Sequence, residues 1–290
     1  MLGNFNACRD KEIRFQRQPS VIESPRMKQP IRVTSKVRLR DFDPAFSDDL
    51  DKDKTREKTS QLCQRIGELQ ELLNANASHS LIILLQGMDT SGKDGAAKRV
   101  LEFVNPAGVE TTSFKSPSRE ELAHDYLWRV HKAVPRYGNI GVFNRSHYED
   151  VLIVRVMNLQ PKSVWRERYD QINSFEKHLA TNRVILLKFF LHISKAEQAE
   201  RLQARLDDPR KNWKFETGDL AMRAKWPEFQ QAYEDVLNRC STPWSPWHII
   251  PADRKWHRDY FIAHTVVAAL ENLKLKWPKP KEDLSKIKIV

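Results

Sequence analysis

Cysteine and glycine are both scarce in this chain. Three widely separated cysteines, Cys8, Cys63 and Cys240, make neither a disulfide framework nor a zinc-knuckle spacing, which excludes a small stapled scaffold and fits a reducing cytosol. Long apolar runs are missing too. Leu81 to Leu85 and Val184 to Ile193 are too short for a bilayer, and the second contains Lys188, so no membrane span is expected. The opening Met1 to Cys8 lacks a basic segment followed by an apolar stretch and reads as an ordinary terminus. A serine elbow, a dinucleotide fingerprint and a zinc motif are all absent, so hydrolase and oxidoreductase readings fall away.

What is present is enough apolar residue for one substantial core: 40% of 290 residues are hydrophobic. The net charge of +11 is unevenly placed. Residues 1–40 hold ten Lys or Arg against three Asp or Glu, so +7 of the charge lies there and +4 is left for the other 250. With Pro19, Pro25, Pro30 and Pro44 and little periodicity, residues 1–54 read as a basic surface arm, and 55–290 as the folded domain.

Of the nine glycines, Gly87, Gly92 and Gly95 fall within nine positions. They follow the apolar run Leu81 to Gln86, so the layout is buried strand, glycine loop and helix start, that of a P-loop. Gly87, four residues and Gly92-Lys93 let successive N–H groups and a helix N-terminus converge on phosphate. Gly87, Ser91, Gly92, Lys93, Asp94 and Gly95 are therefore candidate phosphate ligands. Where the common motif has Ser or Thr after the lysine, this chain has Asp94, and Asp89 sits inside the loop. Carboxylates beside phosphate repel it unless a cation lies between, and Mg²⁺ suits hard oxygen ligands that bridge phosphates. A carboxylate in a helix first turn, as Asp94 would be, is also favoured by the dipole alone.

Along the chain, apolar spacing predicts an amphipathic helix over 55–73 and a helix from Gly92 to about Val104. Further strands are expected over 109–114, 140–143, 184–192 and 247–250, and further helices over 119–132, 163–180, 195–206, 220–237 and 257–273. Ser146 to Glu149 has the spacing of a capping box that would start a helix. Strands alternating with helices at this rhythm predict an α/β fold with a central five-stranded parallel sheet and helices on both faces. Residues 207–219 break the rhythm with Arg210, Lys211, Trp213, Lys214 and Phe215, a mixture expected of a lid over an anion. In such a sheet the loops after Gln86, Phe143, Ile193 and Ile250 share one rim, which gathers Lys93, Arg145, Arg201, Arg205 and Asp253. Arg201 and Arg205 lie on one helix face and suit a ligand rich in phosphate oxygens, although Glu197 and Arg201 are also spaced for an ordinary ion pair.

Six ordered segments carry a resemblance: Gly-Met-Asp-Thr-Ser-Gly-Lys-Asp-Gly (87–95), Asn-Pro-Ala-Gly-Val (105–109), Asp-Tyr-Leu-Trp-Arg-Val-His (125–131), Phe-Asn-Arg-Ser-His-Tyr-Glu-Asp-Val-Leu (143–152), Lys-Phe-Phe-Leu-His-Ile-Ser (188–194) and Pro-Ala-Asp-Arg-Lys-Trp (251–256). Over roughly residues 55–275 the chain resembles the polyphosphate kinase 2 family. The resemblance implies a three-layer P-loop kinase fold with a lid, similar to thymidylate kinase. It also implies reversible, Mg²⁺-dependent phosphoryl transfer between inorganic polyphosphate and ADP or ATP, with AMP as a further acceptor, in a dimer or tetramer, while the cytoplasmic location is expected from the cysteine pattern alone. No membrane and no specific nucleic acid is implied as a partner. Carried over by motif position, Asp89, Lys93, Arg145 and Arg205 are the catalytic set. Asn144, Glu149 and Asp150 are expected beside the nucleotide. One branch of the family has Asp where this chain has Asn144, so Asp89 is expected to carry more of the metal site, with Asp150 or Glu149 reached through water. Two alternatives stay open at this point: a nucleotide kinase that uses ATP as donor, and a non-enzymatic polyanion binder built on the arm and the lid cations.

Overall fold

The computed structural model describes residues 32–47 and 49–289. Helix α1, Lys52–Asn76, starts where the Asp51 side chain accepts a hydrogen bond from Lys54 N, which satisfies one of the orphan amides of a first turn. After it come β1 (Ser80–Gln86), α2 (Lys93–Val100), β2 (Val109–Ser113), α3 (Arg119–Leu122), α4 (Trp128–Lys132), β3 (Ile140–Asn144), α5 (Ile153–Val156) and α6 (Lys162–Thr181). The second half holds β4 (Val184–His192), α7 (Lys195–Asp207), α8 (Thr217–Ala224), α9 (Trp226–Arg239), β5 (Trp247–Pro251) and α10 (Lys255–Glu271). All strand pairs are parallel, in the order β2-β3-β1-β4-β5. Every residue of β1 is buried, as expected of a central strand covered on both faces. The chain leaves β1 toward β2 and β3 on one side and β4 and β5 on the other, so the crevice where ligands settle opens at the carboxyl end of β1.

Helix α10 packs on α1 and α2 over one part of the sheet; Phe261, Ile262, Val266 and Leu270 of α10 and Ile66, Leu69 and Leu73 of α1 are buried. Helix α6 packs on β4, and α5 lies against α9. Among the described residues no helix is long and apolar enough to cross a membrane.

Four local expectations differ from what is found. The helix expected over 119–132 is two short ones, because the Asp125 side chain accepts from Leu127 N and turns the chain between them. The helix expected over 220–237 is divided between α8 and α9 at Lys225, with Pro227 in the first turn of α9. The capping box at Ser146 is half made. Ser146 Oγ accepts from Tyr148 N, the Glu149 carboxylate turns instead to Gln86, and a short 3-10 turn, His147–Asp150, results.

The fourth difference concerns the arm. Its described part is a packed strap: Val33, Val37, Leu39 and Phe42 are buried. Val33 N donates to Trp247 O at 2.8 Å, and Arg32 bridges His248 in antiparallel fashion, so the strap covers the outer edge of β5. Leu39 N and Val37 N donate to Glu234 and Asn238 of α9, and Asp253 N donates to Pro44 O. The basic stretch before Arg32, with Cys8, lies outside the described residues.

The cation that interrupts the apolar run of β4 has a structural reason. Lys188 Nζ, fully buried, donates to Glu176 Oε2 (2.5 Å), Tyr148 OH (2.9 Å) and Cys240 O (2.7 Å). Glu176 Oε1 in turn accepts from Tyr148 OH (2.7 Å) and His147 Nε2 (3.2 Å). Burial pushes the Glu176 carboxyl up, but Lys188 and His147 outweigh it and leave it below the ordinary range. Glu176→Gln should therefore cost about 3–5 kcal/mol at neutral pH, since it strands a buried cation. A carboxylate with a depressed folded-state pKa stabilises above the unfolded value, near 4.3, and that contribution is lost as pH falls through the folded value. Denaturant midpoints of the two proteins should differ most at neutral pH and converge in acid below that range. Equal midpoints at pH 7 would remove the role given to this pair.

Candidate active site

The turn from β1 into α2 is shaped by two glycines. Gly92 has φ +94°, a backbone conformation that L side chains rarely adopt, and a Cβ there would force the Arg258 guanidinium to shift. Gly87, at φ +156°, brings the backbone close to Leu191 O and Ser91 Oγ. Within the loop Thr90 also takes a positive φ of 65°, a strained value for a β-branched residue. Lys93, buried at the head of α2, folds back over the loop: its Nζ donates to Gly87 O (3.0 Å), Met88 O (3.2 Å) and Ser91 Oγ (3.5 Å). Burial lowers the Lys93 pKa, opposed by Asp89.

Opposite the loop stands Arg145, at φ 62°, held by its own N–H on Leu85 O (3.0 Å). Its Nη2 meets Asp89 Oδ1 at 2.7 Å. Burial would lower the Arg145 pKa, yet Glu149 and Asp89 outweigh that and raise it. Asn144 donates its amide to Asp94 Oδ1, which joins the rims of β3 and α2. Arg205 at the end of α7 reaches Lys214 O (2.9 Å) and Asp219 Oδ2 (3.1 Å). Arg201 spends its fork on main chain: Thr90 O, Ser91 O, Ala252 O and Asp253 O at 2.7–3.1 Å, with Nε on Glu197 at 2.6 Å. It pins the glycine loop to the loop after β5, and the expected Glu197–Arg201 pair is present as well.

Two spaces meet at Arg145. A cavity of about 770 Å³, lined by Phe114, Arg129, Asp150, Arg168 and others, lies on one side, within the range that holds a nucleotide. A slot of about 20 Å³ lies on the other, between Gly87, Asp89 and the side chains of Met222, Phe229 and Tyr233. Arg145, Glu149 and Ile153 line both. A volume that small admits a single water, so anything larger requires the walls of this slot to move. Glu149 is pushed up by burial, with Arg145 opposing. Asp150 is likewise raised by burial, with Arg168 opposing at 2.9 Å.

The structure thus brings Gly87, Asp89, Ser91, Gly92, Lys93, Arg145 and Glu149 to one point, with Arg205 one carboxylate away through Asp219. Gly95 lies in α2 beside Arg258 rather than in the loop itself. Asn144 and Asp94 share the β3 rim, whereas Asp150 faces the large cavity and has its own arginine. Among the described residues no group of three or more His, Cys, Asp or Glu is arranged to hold a metal. In the expected lid segment, Arg210 and Lys211 both pair with Asp208 at 2.8–3.2 Å, and Lys214 lies 4.9 Å from the Trp213 ring.

Four residues that bear on the site are new at this level. Asp219 pairs with Arg205, and its pKa is raised by burial and by Asp89. Gln198 Nε2 donates to Asp89 O at 3.0 Å. Arg258, nearly fully buried, braces Gly92 while paired to Asp259 at 2.7 Å. Thr90 Oγ1 is buried with no hydrogen-bond partner among the described residues. Only Thr90 had a signal in the sequence, by standing inside the glycine motif; the others depend on tertiary packing.

The chain is similar to known proteins over most of its length. The chain is 48% identical over 253 residues to an AMP/ADP-polyphosphate phosphotransferase of Meiothermus ruber, covering 87% of this chain and 95% of the relative. It is 43% identical over 228 residues to an ADP-polyphosphate phosphotransferase of Rhodopseudomonas palustris, covering 74% and 79%. The crystal structure of polyphosphate kinase 2 from Arthrobacter aurescens TC1 superposes with a TM-score of 0.86 at 41% identity, covering 88% of this chain and 92% of that one. The family model for polyphosphate kinase 2 (PPK2) matches residues 49–278, and the chain belongs to that family.

Proposed function

We propose that this protein is a polyphosphate-dependent nucleotide kinase, moving a phosphoryl group between inorganic polyphosphate and ADP, with AMP as a second acceptor. The observation that carries it is the shared wall: Arg145 and Glu149 border both the phosphate slot at the glycine loop and a cavity of nucleotide size. The names of the Meiothermus ruber and Rhodopseudomonas palustris relatives support the same donor and acceptors.

Phosphoryl transfer asks the protein for alignment and charge neutralisation more than for covalent chemistry. In this reading the amides of residues 87–92 and Lys93 hold the phosphates beside the transferred group, and Arg145 leaves Asp89 to span the two ligands. Arg205 follows from the lid side, released from Asp219, while Arg201 keeps the loop in place. Glu149 and Asp150 face the acceptor. The donor set fits a hard divalent cation: Asp89 commits one carboxylate oxygen to Arg145, and the orphaned Thr90 hydroxyl is an oxygen donor in the same loop. With few protein oxygens and several from phosphate this is the pattern of Mg²⁺. When bound, Mg²⁺ would neutralise charge on the phosphate oxygens, held by Asp89 and, through water, Glu149. The free thiols of Cys63 and Cys240 are buried and pushed up by burial to about 11 and about 12, which suits a reducing cytoplasm. Assembly as a homodimer or tetramer belongs to the same reading on family resemblance.

Lys93→Ala should lower the rate of ATP formation from ADP and polyphosphate by about 10²–10³-fold, the usual loss for one preorganised phosphate donor. A pure polyanion binder would need no such lysine, so near-normal turnover in that variant would detach the loop from the chemistry. With polyphosphate, Mg²⁺ and AMP as sole nucleotide, chromatography should show ADP and then ATP accumulating. Consumption of ADP alone, with AMP untouched, would restrict the acceptor to diphosphates, and turnover that required ATP as donor would reject polyphosphate.

A further inference from the structure

Helix α6 separates two hollows, and only one of them belongs to the site above. Val164, Glu167, Arg168 and Gln171 face the 770 Å³ cavity. The neighbouring stripe, Lys162, Trp165, Arg166 and Tyr169 at helical spacing, faces a second hollow of about 350 Å³, closed by Arg155 of α5 and by Asp235 and Arg239 of α9.

The charge in this second hollow is unbalanced. Arg155 pairs with Asp235 at 2.6 Å, touches Tyr169 OH at 3.3 Å and lies 4.9 Å from the Trp165 ring. Arg239 stacks on Tyr169 at 5.2 Å and has no carboxylate partner among the described residues. Lys162 and Arg166, both exposed, have none either. Four cations thus surround one carboxylate. Two of them stand in the first two turns of a 20-residue helix that has no acid in its first turn and no side-chain cap. Cations there oppose the helix dipole. An anion resolves this conflict, since the ammonium and the guanidiniums that line the hollow call for negative charge.

We propose that this hollow is a second anion site that takes a run of phosphates, separate from the glycine loop. The planar forks of Arg155, Arg166 and Arg239 suit phosphate oxygens better than a lone carboxylate. One source is a distal stretch of inorganic polyphosphate, and the other is the phosphate tail of a free nucleotide. The inference rests on phosphate chemistry at this face and not on transfer at the glycine loop.

Calorimetric titration of the full chain with inorganic tripolyphosphate should reveal two classes of site. Lys162→Gln combined with Arg166→Gln should weaken one class about tenfold, as expected for the loss of two exposed charge pairs, and leave the other class and the melting temperature unchanged. Repeating the titration with ADP assigns the source: an unchanged ADP isotherm points to the inorganic chain, and a matching loss of one ADP site points to the nucleotide. A single tripolyphosphate class in the parent, or identical isotherms for parent and double variant, overturns the proposal. So does a shift to a smaller species in sedimentation without change in either isotherm, which would make this face an interface between copies. A failure of kinase activity would leave these isotherms readable and so is a separate result.

Discussion

The site depends on an ammonium held against its own loop. Lys93 closes the turn between β1 and α2 by donating to the carbonyls of Gly87 and Met88, and so fixes the direction in which the intervening amides point. This arrangement costs charge burial, and the loop offsets it with Asp89 nearby and with the carbonyls themselves. Arg201 completes the frame by tying Thr90 O and Ser91 O to the main chain after β5. The loop is thus shaped before any phosphate arrives, which is what electrostatic preorganisation requires.

The resting charges satisfy one another in pairs that phosphate can break. Asp89 holds Arg145, Asp219 holds Arg205, and Asp208 holds the lid cations Arg210 and Lys211. Each arginine of the expected catalytic set is parked on a carboxylate, and the slot at the glycine loop is nearly closed. In the proposed reaction a ligand carrying several negative charges at once would compete for both arginines, and the proposed divalent cation would take the carboxylate side of the exchange. On the proposed function, the pairing of opposite charges in the resting site would suit a ligand and a metal that arrive together.

Much of this was legible in the chain itself. Buried strands announce themselves as apolar runs, so all five fall within a residue or so of the expected ranges, and the glycine spacing located the loop. The breaks in the helices were not legible, because Asp125 and Lys225 act through turns whose geometry depends on neighbours. The strap over β5 was obscured by composition: Val33, Val37, Leu39 and Phe42 are separated by cations that outweigh them in any average, although their spacing lets each reach the core. Arg201 read equally as a phosphate ligand and as half of an i,i+4 pair, and only the position of the carbonyls after β5 decides how its fork is used. Asp219 and Gln198 carry no motif, since their relation to Asp89 is created by the packing of α7 and α8.

The short turn from His147 to Asp150 explains why a buried ion pair lies so close to the chemistry. Its residues divide between two environments: His147 and Tyr148 point into the sheet, and Glu149 and Asp150 point to the cavity. Glu176 and Lys188 grip the inner pair by hydrogen bonds to His147 Nε2 and Tyr148 OH. Arg145, two residues earlier, is held at a positive φ that costs of order 1–3 kcal/mol and persists only where its surroundings overdetermine it. A fully apolar core at this point would pack as well, but it would hold the turn by shape alone. The charged cluster fixes it by direction, because each of the three Nζ donors of Lys188 and both oxygens of Glu176 have an assigned partner. The position of Glu149 and Arg145 at the boundary between slot and cavity is therefore set from inside the sheet, and the wall between the two spaces inherits the rigidity of the core.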